Sequence, residues 1–339
     1  MDAAEALDEI ASLLERELAS SYKSKAYRRA ANLVRDLSPD ELAARIADGR
    51  LRRTAGIGDS TYRVIVDAAA GRVPDKLATL RAETGAAGAH RTGLAAELKG
   101  DLHSHSEWSD GTTSIQAMAR GAAAVGLEWM VLSDHSPSLR VANGLSAERL
   151  TEQLEIVEAL NTDGGLGVRI LPGIEVDILE DGSLDQSPEM LERLDVVVAS
   201  VHSKLRAPER DMTRRMLRAI ADPHTNVLGH CTGRLVKGSR GTRPQSTFDA
   251  AAVFAACAEH DVAVEINSRP EREDPPDELI AQARDAGCLF SIDSDAHAPG
   301  HFAFLELGAA RAERAGIPAD RIVTTWDVDR LREWSRRTR

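Results

Sequence analysis

The pattern of apolar and polar positions changes near residue 100. Before that point apolar residues recur at helical intervals. In AEALDEIASLLEREL, residues Leu7, Ile10, Leu13, Leu14 and Leu18 mark one face of a helix. KAYRRAANLVRDL predicts a second helix, closed by Ser38-Pro39. SPDELAARIADG predicts a third, with Ser38 as N-cap, Pro39 at the first helical position and Glu41 three residues past the cap. LRRTAGIGDSTYRVIVDAAAGRVP reads as two helices joined by Gly56-Ile57-Gly58. The Gly- and Ala-rich stretch TGAAGAHRTGLAAEL then reads as a linker. These boundaries predict a helical domain over residues 1–83, a linker over 84–99 and a larger domain over 100–339.

After Gly100 short apolar runs alternate with helical stretches. The runs are LEWMVL, VRILPGIEVDI, LDVVVAS, NVLG, VAVEI, CLFSID and RIVTT, with a first short strand ahead of them at Gly100. Such alternation predicts an α/β fold of parallel strands and crossover helices, either a barrel or a doubly wound sheet.

Candidate chemistry collects at the ends of those runs. His103 and His105 follow the first strand, His135 follows WMVLSD, and Glu175 lies within ILPGIEVDI. His202 follows LDVVVAS, His230 follows NVLG, and Asp295 and His297 follow CLFSIDS. One histidine at a strand end is more often structural than a ligand, so only the set carries weight. Six of the ten histidines are placed this way, while His90, His224, His260 and His301 read as bystanders. In parallel α/β folds the carboxyl ends of the strands share one face, which lets groups distant in sequence converge. Imidazoles mixed with carboxylates suit Zn²⁺, Mn²⁺ or Fe²⁺ and disfavour Mg²⁺ and Ca²⁺.

Charge sharpens the division of the chain. Residues 1–99 hold 16 Lys/Arg against 15 Asp/Glu, and the remainder holds 26 against 39, for a net charge of −12. Residues 20–65 alone carry ten basic and five acidic side chains. A locally basic module is joined to an acidic one, whose carboxylates suit metal binding better than a phosphate backbone. No apolar run approaches the ~20 residues of a membrane span, and the acidic N-terminus has no signal core, so a cytoplasmic protein is expected. The three cysteines, Cys231, Cys257 and Cys288, make neither a disulfide framework nor a zinc clip. No GxSxG nucleophile motif is present, and Cys231 beside His230 reads as a packing residue.

The motifs HSHSEWSDG, LSDHS, GIEVDI, VASVHS, LGHCTGR and SIDSDAH, in that order, resemble those of the PHP (polymerase and histidinol phosphatase) family. They look closest to the PHP domain at the C-terminal end of bacterial family X DNA polymerases. The resemblance implies a distorted (β/α)₇ barrel holding three divalent ions, Mn²⁺, Zn²⁺ or Fe²⁺. It assigns His103, His105, Glu175 and Asp295 to the first ion. Glu175 would bridge to the second, completed by His202 and His230, while Asp110, His135 and His297 would hold the third. Closely spaced ions would acidify a bridging water and clamp the phosphoryl oxygens, with Glu175 and Asp295 at the centre of catalysis. Arg234 in HCTGR is the leading phosphate-facing cation, ahead of Lys204, Arg206 and Arg269. Asp134 either orients a ligand or caps the next element.

TAGIGDST resembles the hairpin of a helix-hairpin-helix motif, and residues 1–83 resemble the amino-terminal domain of family X polymerases. This implies DNA binding through the backbone at Gly56 and Gly58 and through Lys23, Lys25, Arg28 and Arg29. The helix after the hairpin, DSTYRVIVDAAAG, contains no lysine, so no lyase activity is expected. The chain leaves no room for nucleotidyl-transfer domains between its two modules, so no polymerase activity is expected either. Three functions compete. The first is a metal-dependent phosphoesterase on DNA ends in repair, of the 3′→5′ exonuclease, 3′-phosphatase or abasic-site endonuclease type. The second is a phosphatase acting on a small phosphorylated substrate such as histidinol phosphate. The third is a DNA-binding scaffold with an idle barrel. The sequence specifies no oligomeric state.

Overall fold

A computed structural model describes residues 1–337 except 36, 85–90 and 238–240. The chain forms two compact units, the first over the N-terminal helices and the second from Arg91 onward, apart from 237–240.

The first unit is all helical: α1 (Ala3–Arg16), α2 (Ser21–Arg35), α3 (Pro39–Ala47), α4 (Arg50–Arg53), α5 (Asp59–Ala69) and α6 (Asp75–Thr84). The Ser38 cap the sequence predicts is present, and Asp2 caps α1 as well. Asp2 accepts from the Glu5 amide at the start of α1, and Ser38 accepts from the Glu41 amide at the start of α3, where Pro39 begins the first turn. Leu7, Ile10 and Ala11 of α1 pack with Ala30, Ala31 and Ile65 into a core separate from that of the barrel. Between α4 and α5 the Gly56 backbone is left-handed, with φ 96°, and a Cβ there would press on Leu33 and Arg29 of α2.

The second unit is a seven-stranded parallel barrel: β1 (Gly100–Asp101), β2 (Trp129–Leu132), β3 (Arg169–Asp177), β4 (Val196–Ser200), β5 (Val227–Leu228), β6 (Ala263–Asn267) and β7 (Phe290–Asp293). Each strand pairs with the next in sequence order. A parallel bridge between Ser104 and Ala296, just past β1 and β7, closes the cylinder. Helices follow most strands, as right-handed crossovers require. They are α7 (Leu94–Glu97), α8 (Ile115–Ala124), α9 (Ala147–Asp163), α10 (Pro188–Leu191), α11 (Glu209–Ile220), α12 (Ala250–Glu259), α13 (Asp277–Asp285), α14 (Leu305–Arg314) and α15 (Val328–Ser335). Strands covered on both faces read as continuous apolar runs, which is why WMVL and VVVAS show no alternation in sequence.

Alternation reappears in space. Trp129 and Val131 of β2, and Val196 and Val198 of β4, point into the barrel with Leu102, Leu171 and Val227. Met130, Leu132, Val197 and Ala199 point outward to the helices. The run RIVTT, expected as a further strand, contributes only a bridge from Ile322 to Phe290 and then turns into a short 3₁₀ segment. With the cylinder already closed at Ser104 and Ala296, that run has no open edge to join. Val323, Trp326, Leu331 and Trp334 instead join the core cluster of the barrel interior. The indole N–H groups of Trp129, Trp326 and Trp334 each donate to a backbone carbonyl.

The linker expected over 84–99 is described only in part. Residues 85–90, His90 among them, lie outside the described residues. From Arg91 the chain is built into the barrel unit: Leu94 and Ala95 are buried, the Leu94 amide donates to Glu313, and Arg91 donates to the Leu98 and Gly126 carbonyls. Among the described residues no helix is long and apolar enough to cross a membrane. All three cysteines are free and buried.

Candidate metal centre

The inward face of β3 carries the barrel from apolar to catalytic character. Leu171 belongs to the interior core. Two residues on, Gly173 leaves no space for a side chain, because a Cβ would lie 2.3 Å from Val131. Glu175 and Asp177 come next on the same face, both buried. Asp101 and Asp293, buried beside the cluster, hold the ends of β1 and β7. Asp293 accepts from the Leu102 amide, and Asp101 accepts from the amides of His103 and Ser294. Burial raises both carboxyls, Asp101 to about 7.

The loop after β1 supplies three candidate ligands. His103 and His105 are fully buried, and the Ser-Asp-Gly turn brings Asp110 back over them. Gly111 is required for that return: its amide donates to the Ser106 carbonyl, and a Cβ would sit 2.6 Å from the Ser106 backbone. Asp295, after β7, holds a left-handed conformation at φ 49°, an unusual geometry of the kind that accumulates at functional sites.

Glu175 is the centre of the arrangement. Its Oε1 lies 2.9 Å from His230 Nε2 and 3.2 Å from His202 Nε2. Its Oε2 lies 2.9 Å from His135 Nδ1, 3.1 Å from His103 Nε2 and 3.5 Å from His105 Nε2. Asp110 Oδ1 approaches His297 Nε2 at 3.3 Å and His135 Nε2 at 3.5 Å. Groups whose donor atoms fall within 4.8 Å of one another are His103/His105/Asp295, His103/Glu175/His230, His135/Glu175/His202 and His105/Asp110/His135/His297.

The residues fit divalent ions on a direct observation. Both Glu175 oxygens, His103 Nε2, both ring nitrogens of His105, His135 Nδ1 and His230 Nδ1 are buried without a hydrogen-bond partner. Buried polar atoms are otherwise nearly always paired. Lone pairs that converge on one another without hydrogen bonds are what a cation-binding set requires.

Outer partners orient the rings. Glu265, fully buried on β6, lies 2.6 Å from His103 Nδ1 and also accepts from the His230 amide. Asp177 holds His202 Nδ1 at 2.5 Å, and the Asp295 carbonyl lies 2.8 Å from His297 Nδ1. The Glu265 and Asp177 contacts favour a proton on Nδ1 and leave Nε2 of His103 and His202 facing the cluster. Burial alone would raise the Glu175 carboxyl, but His103, His202 and His135 outweigh it and hold it well below the usual range. Burial together with the neighbouring His297 and His135 drives His105 down to about 3, so that ring stays neutral. Burial would likewise raise Asp295, but Arg272, His105 and His103 hold it down.

Arg272 is buried and donates to Asp295 Oδ2 at 3.0 Å. Arg269 donates to the Asp295 carbonyl, lies 3.1 Å from His297 Nδ1, and pairs with Glu271 at 2.7 Å. Burial would raise Glu271, yet Arg269 and then Arg272 bring it down to about 2. A carboxyl lowered on folding contributes stability above its unfolded value of 4.5, which is lost as pH falls toward 2. Glu271→Gln is expected to cost about 2–3 kcal/mol at pH 7 and to flatten the decline between pH 4.5 and 2, read from urea unfolding across that range.

Residues 101–269 match the PHP domain. A probable phosphatase of Aliivibrio fischeri is 30% identical over 236 residues, covering 66% of this chain and 88% of that protein. The chain belongs to the PHP domain family. It is a PHP-type, metal-dependent phosphoester hydrolase. The DNA polymerase/3′-5′ exonuclease PolX of Bacillus subtilis is 39% identical over 201 residues, 59% of this chain but only 34% of that larger protein. Among solved structures, the histidinol phosphate phosphatase of Lactococcus lactis, determined with zinc, L-histidinol and phosphate, overlaps 65% of this chain and 94% of its own. It does so at 20% identity and a TM-score of 0.46.

Within this PHP barrel, all nine residues read as ligands from the sequence meet in one cluster. Their grouping differs in detail. His202 and His230 both reach Glu175 Oε1 but fall in separate groups, His202 with His135 and His230 with His103. His105 joins the group of Asp110, His135 and His297 as well as that of His103 and Asp295. Glu265, Asp177 and Arg272 went unread, because an acid in VAVEI or a basic residue in NSRPER carries no sign of its partner. His301, read as a bystander, accepts from the His297 amide and stacks on Phe304.

Two cations read from the sequence are held by protein partners. Arg234 donates through Nε to the carbonyls of Arg272 and Glu273 and through Nη2 to the Glu273 side chain. Arg28 is 6% exposed and ion-pairs with Glu15 and Asp8 inside the helical unit, which removes it from any DNA-facing surface. Lys23, Lys25 and Arg29 are exposed. Burial pushes the Cys231 thiol well up, consistent with a packing role.

Proposed function

We propose that the barrel hydrolyses phosphate esters at DNA ends, as a 3′→5′ exonuclease, 3′-phosphatase or abasic-site endonuclease, and that the helical unit supplies affinity for DNA. The observation that carries the hydrolytic part is the convergence of unpaired imidazole and carboxylate lone pairs on Glu175. The DNA part is supported by the higher identity to a 3′-5′ exonuclease, 39%, than to probable phosphatases at 30%.

In this reading three divalent ions would be held by the sets His103/His105/Glu175/Asp295, Glu175/His202/His230 and Asp110/His135/His297. Bound there, divalent ions supply Lewis-acid polarisation of phosphoryl oxygens and a water of lowered pKa. The chain's own residues do the rest. Glu265 and Asp177 keep the His103 and His202 rings turned inward. Arg272 fixes Asp295. Asp110 and His297, with side chains 37% and 21% exposed, form the open side through which a phosphate would enter. Arg269 beside His297 would meet its charge.

A second reading keeps a specific support. Probable phosphatases align over nearly their whole length, and the chain after residue 99 is acidic, which favours a small phosphorylated substrate over a polyanion. Manganese-loaded protein assayed on 3′-recessed, single-stranded and abasic DNA and on histidinol phosphate separates the two. DNA processing is expected; turnover of histidinol phosphate alone would establish the second reading. A Lys23/Lys25/Arg29 triple alanine variant is expected to weaken DNA binding and to reduce the salt slope by roughly 0.9 per lost phosphate contact. An unchanged slope would remove the helical unit from DNA binding.

A further inference from the structure

The Ser-Asp-Gly loop does not hold itself in place. It is tied to a carboxylate that is neither a candidate ligand nor exposed. Asp134 is 1% exposed and receives four hydrogen bonds. Its Oδ1 accepts from the Ser106 amide at 2.8 Å and from Ser109 Oγ at 2.5 Å. Its Oδ2 accepts from Ser106 Oγ at 2.6 Å and from Gln153 Nε2 of α9 at 2.7 Å. Burial raises the Asp134 carboxyl, and the four donors counter that only in part. Two of the donors lie on Ser106 and one on Ser109, which brackets the turn leading to Asp110.

Asp110 needs that help. At the centre of the cluster His103, His105 and Glu175 are at most 1% exposed, whereas the Asp110 side chain is 37% exposed on an irregular loop. Gly111 then seals the turn against the Ser106 backbone. A carboxylate on a loop reaches His135 and His297 at 3.3–3.5 Å only if the loop has one conformation.

We propose that Asp134 is a positioning residue for the third ion-holding set. Through Ser106 and Ser109 it fixes Asp110 over His135 and His297, while the sets built on His103, His230 and Asp295 are independent of it. This rests on the three-ion reading above and not on the identity of the substrate.

The test is ion binding, measured on the full chain by elemental analysis and Mn²⁺ titration calorimetry. Asp134→Asn keeps the volume and loses acceptor capacity. Ser109→Ala removes one donor and alters no candidate ligand. In both variants the weakest Mn²⁺ site is expected to lose affinity by about 10–100-fold, with the tighter sites unchanged. Asp110→Ala is expected to lose the same ion, and adding Asp134→Asn to it should remove no further ion. Equal weakening of every site, or three ions bound with wild-type affinity in Ser109→Ala, would overturn the proposal. Wild-type protein that binds only two ions would instead overturn the three-ion reading and this proposal with it. Both outcomes are read from ion binding alone, whatever the enzyme does to DNA.

Discussion

Glu175→Gln is expected to lower kcat/KM for every phosphoester the enzyme turns over by roughly 10³-fold or more, on the order of 4 kcal/mol of transition-state stabilisation. The substitution is nearly isosteric, so β3 and its register with β2 and β4 have no steric reason to change. What changes is charge and lone pairs. Both Glu175 oxygens are buried without hydrogen-bond partners and face five imidazole rings at 2.9–3.5 Å. An amide replaces one of those acceptors with a donor and removes the anion that His103, His202 and His135 hold ionised. Because Oε1 faces His230 and His202 while Oε2 faces His103, His105 and His135, more than one ion should be lost. Elemental analysis of the variant beside the wild type reads this directly. Full metal content with activity within tenfold of wild type would show that Glu175 is not the hub of the centre.

The legible part of this site was its set of candidate ligands, and the reason is geometric. Parallel strands are covered on both faces, so their sequences are uniformly apolar, and a polar residue at the end of such a run stands out. His103, His135, His202, His230 and Asp295 were readable for that reason. Asp110 was readable only through the family motif, since nothing in the spacing of Ser-Asp-Gly says that Gly111 folds onto Ser106. The supporting residues were not legible, because what defines them is a partner. Glu265 looks like any acid in a strand until its contact with His103 Nδ1 is seen. The partners of the cations were hidden for the same reason. Arg28 and Arg234 look like free charges in sequence, but Glu15 and Asp8 engage the first and the carbonyls of Arg272 and Glu273 the second. The run RIVTT had the composition of a strand, yet composition does not say whether a sheet still has an edge.

Removing the ions is expected to abolish activity and to lower the stability of the barrel selectively. A ligand that binds the native state alone stabilises by about 4 kcal/mol at a thousandfold excess over its Kd, and the unfolded chain cannot gather groups from β1, β3, β4, β5 and β7. For a domain of this size that corresponds to a fall in Tm of roughly 8–16 °C on chelation. Without ions, both Glu175 oxygens are left buried with no hydrogen-bond partner. Burial would lower His135, but Glu175 and Asp110 raise it to about 10, so a proton partly takes the place of an ion there. All nine candidate ligands lie after residue 99, so the melting of the helical unit should not move. Differential scanning calorimetry of the full chain, with and without chelator and after return of Mn²⁺, measures both effects. A barrel transition unchanged by chelation, in protein whose ions have been shown to be gone, would mean that the cluster is held by its protein contacts alone.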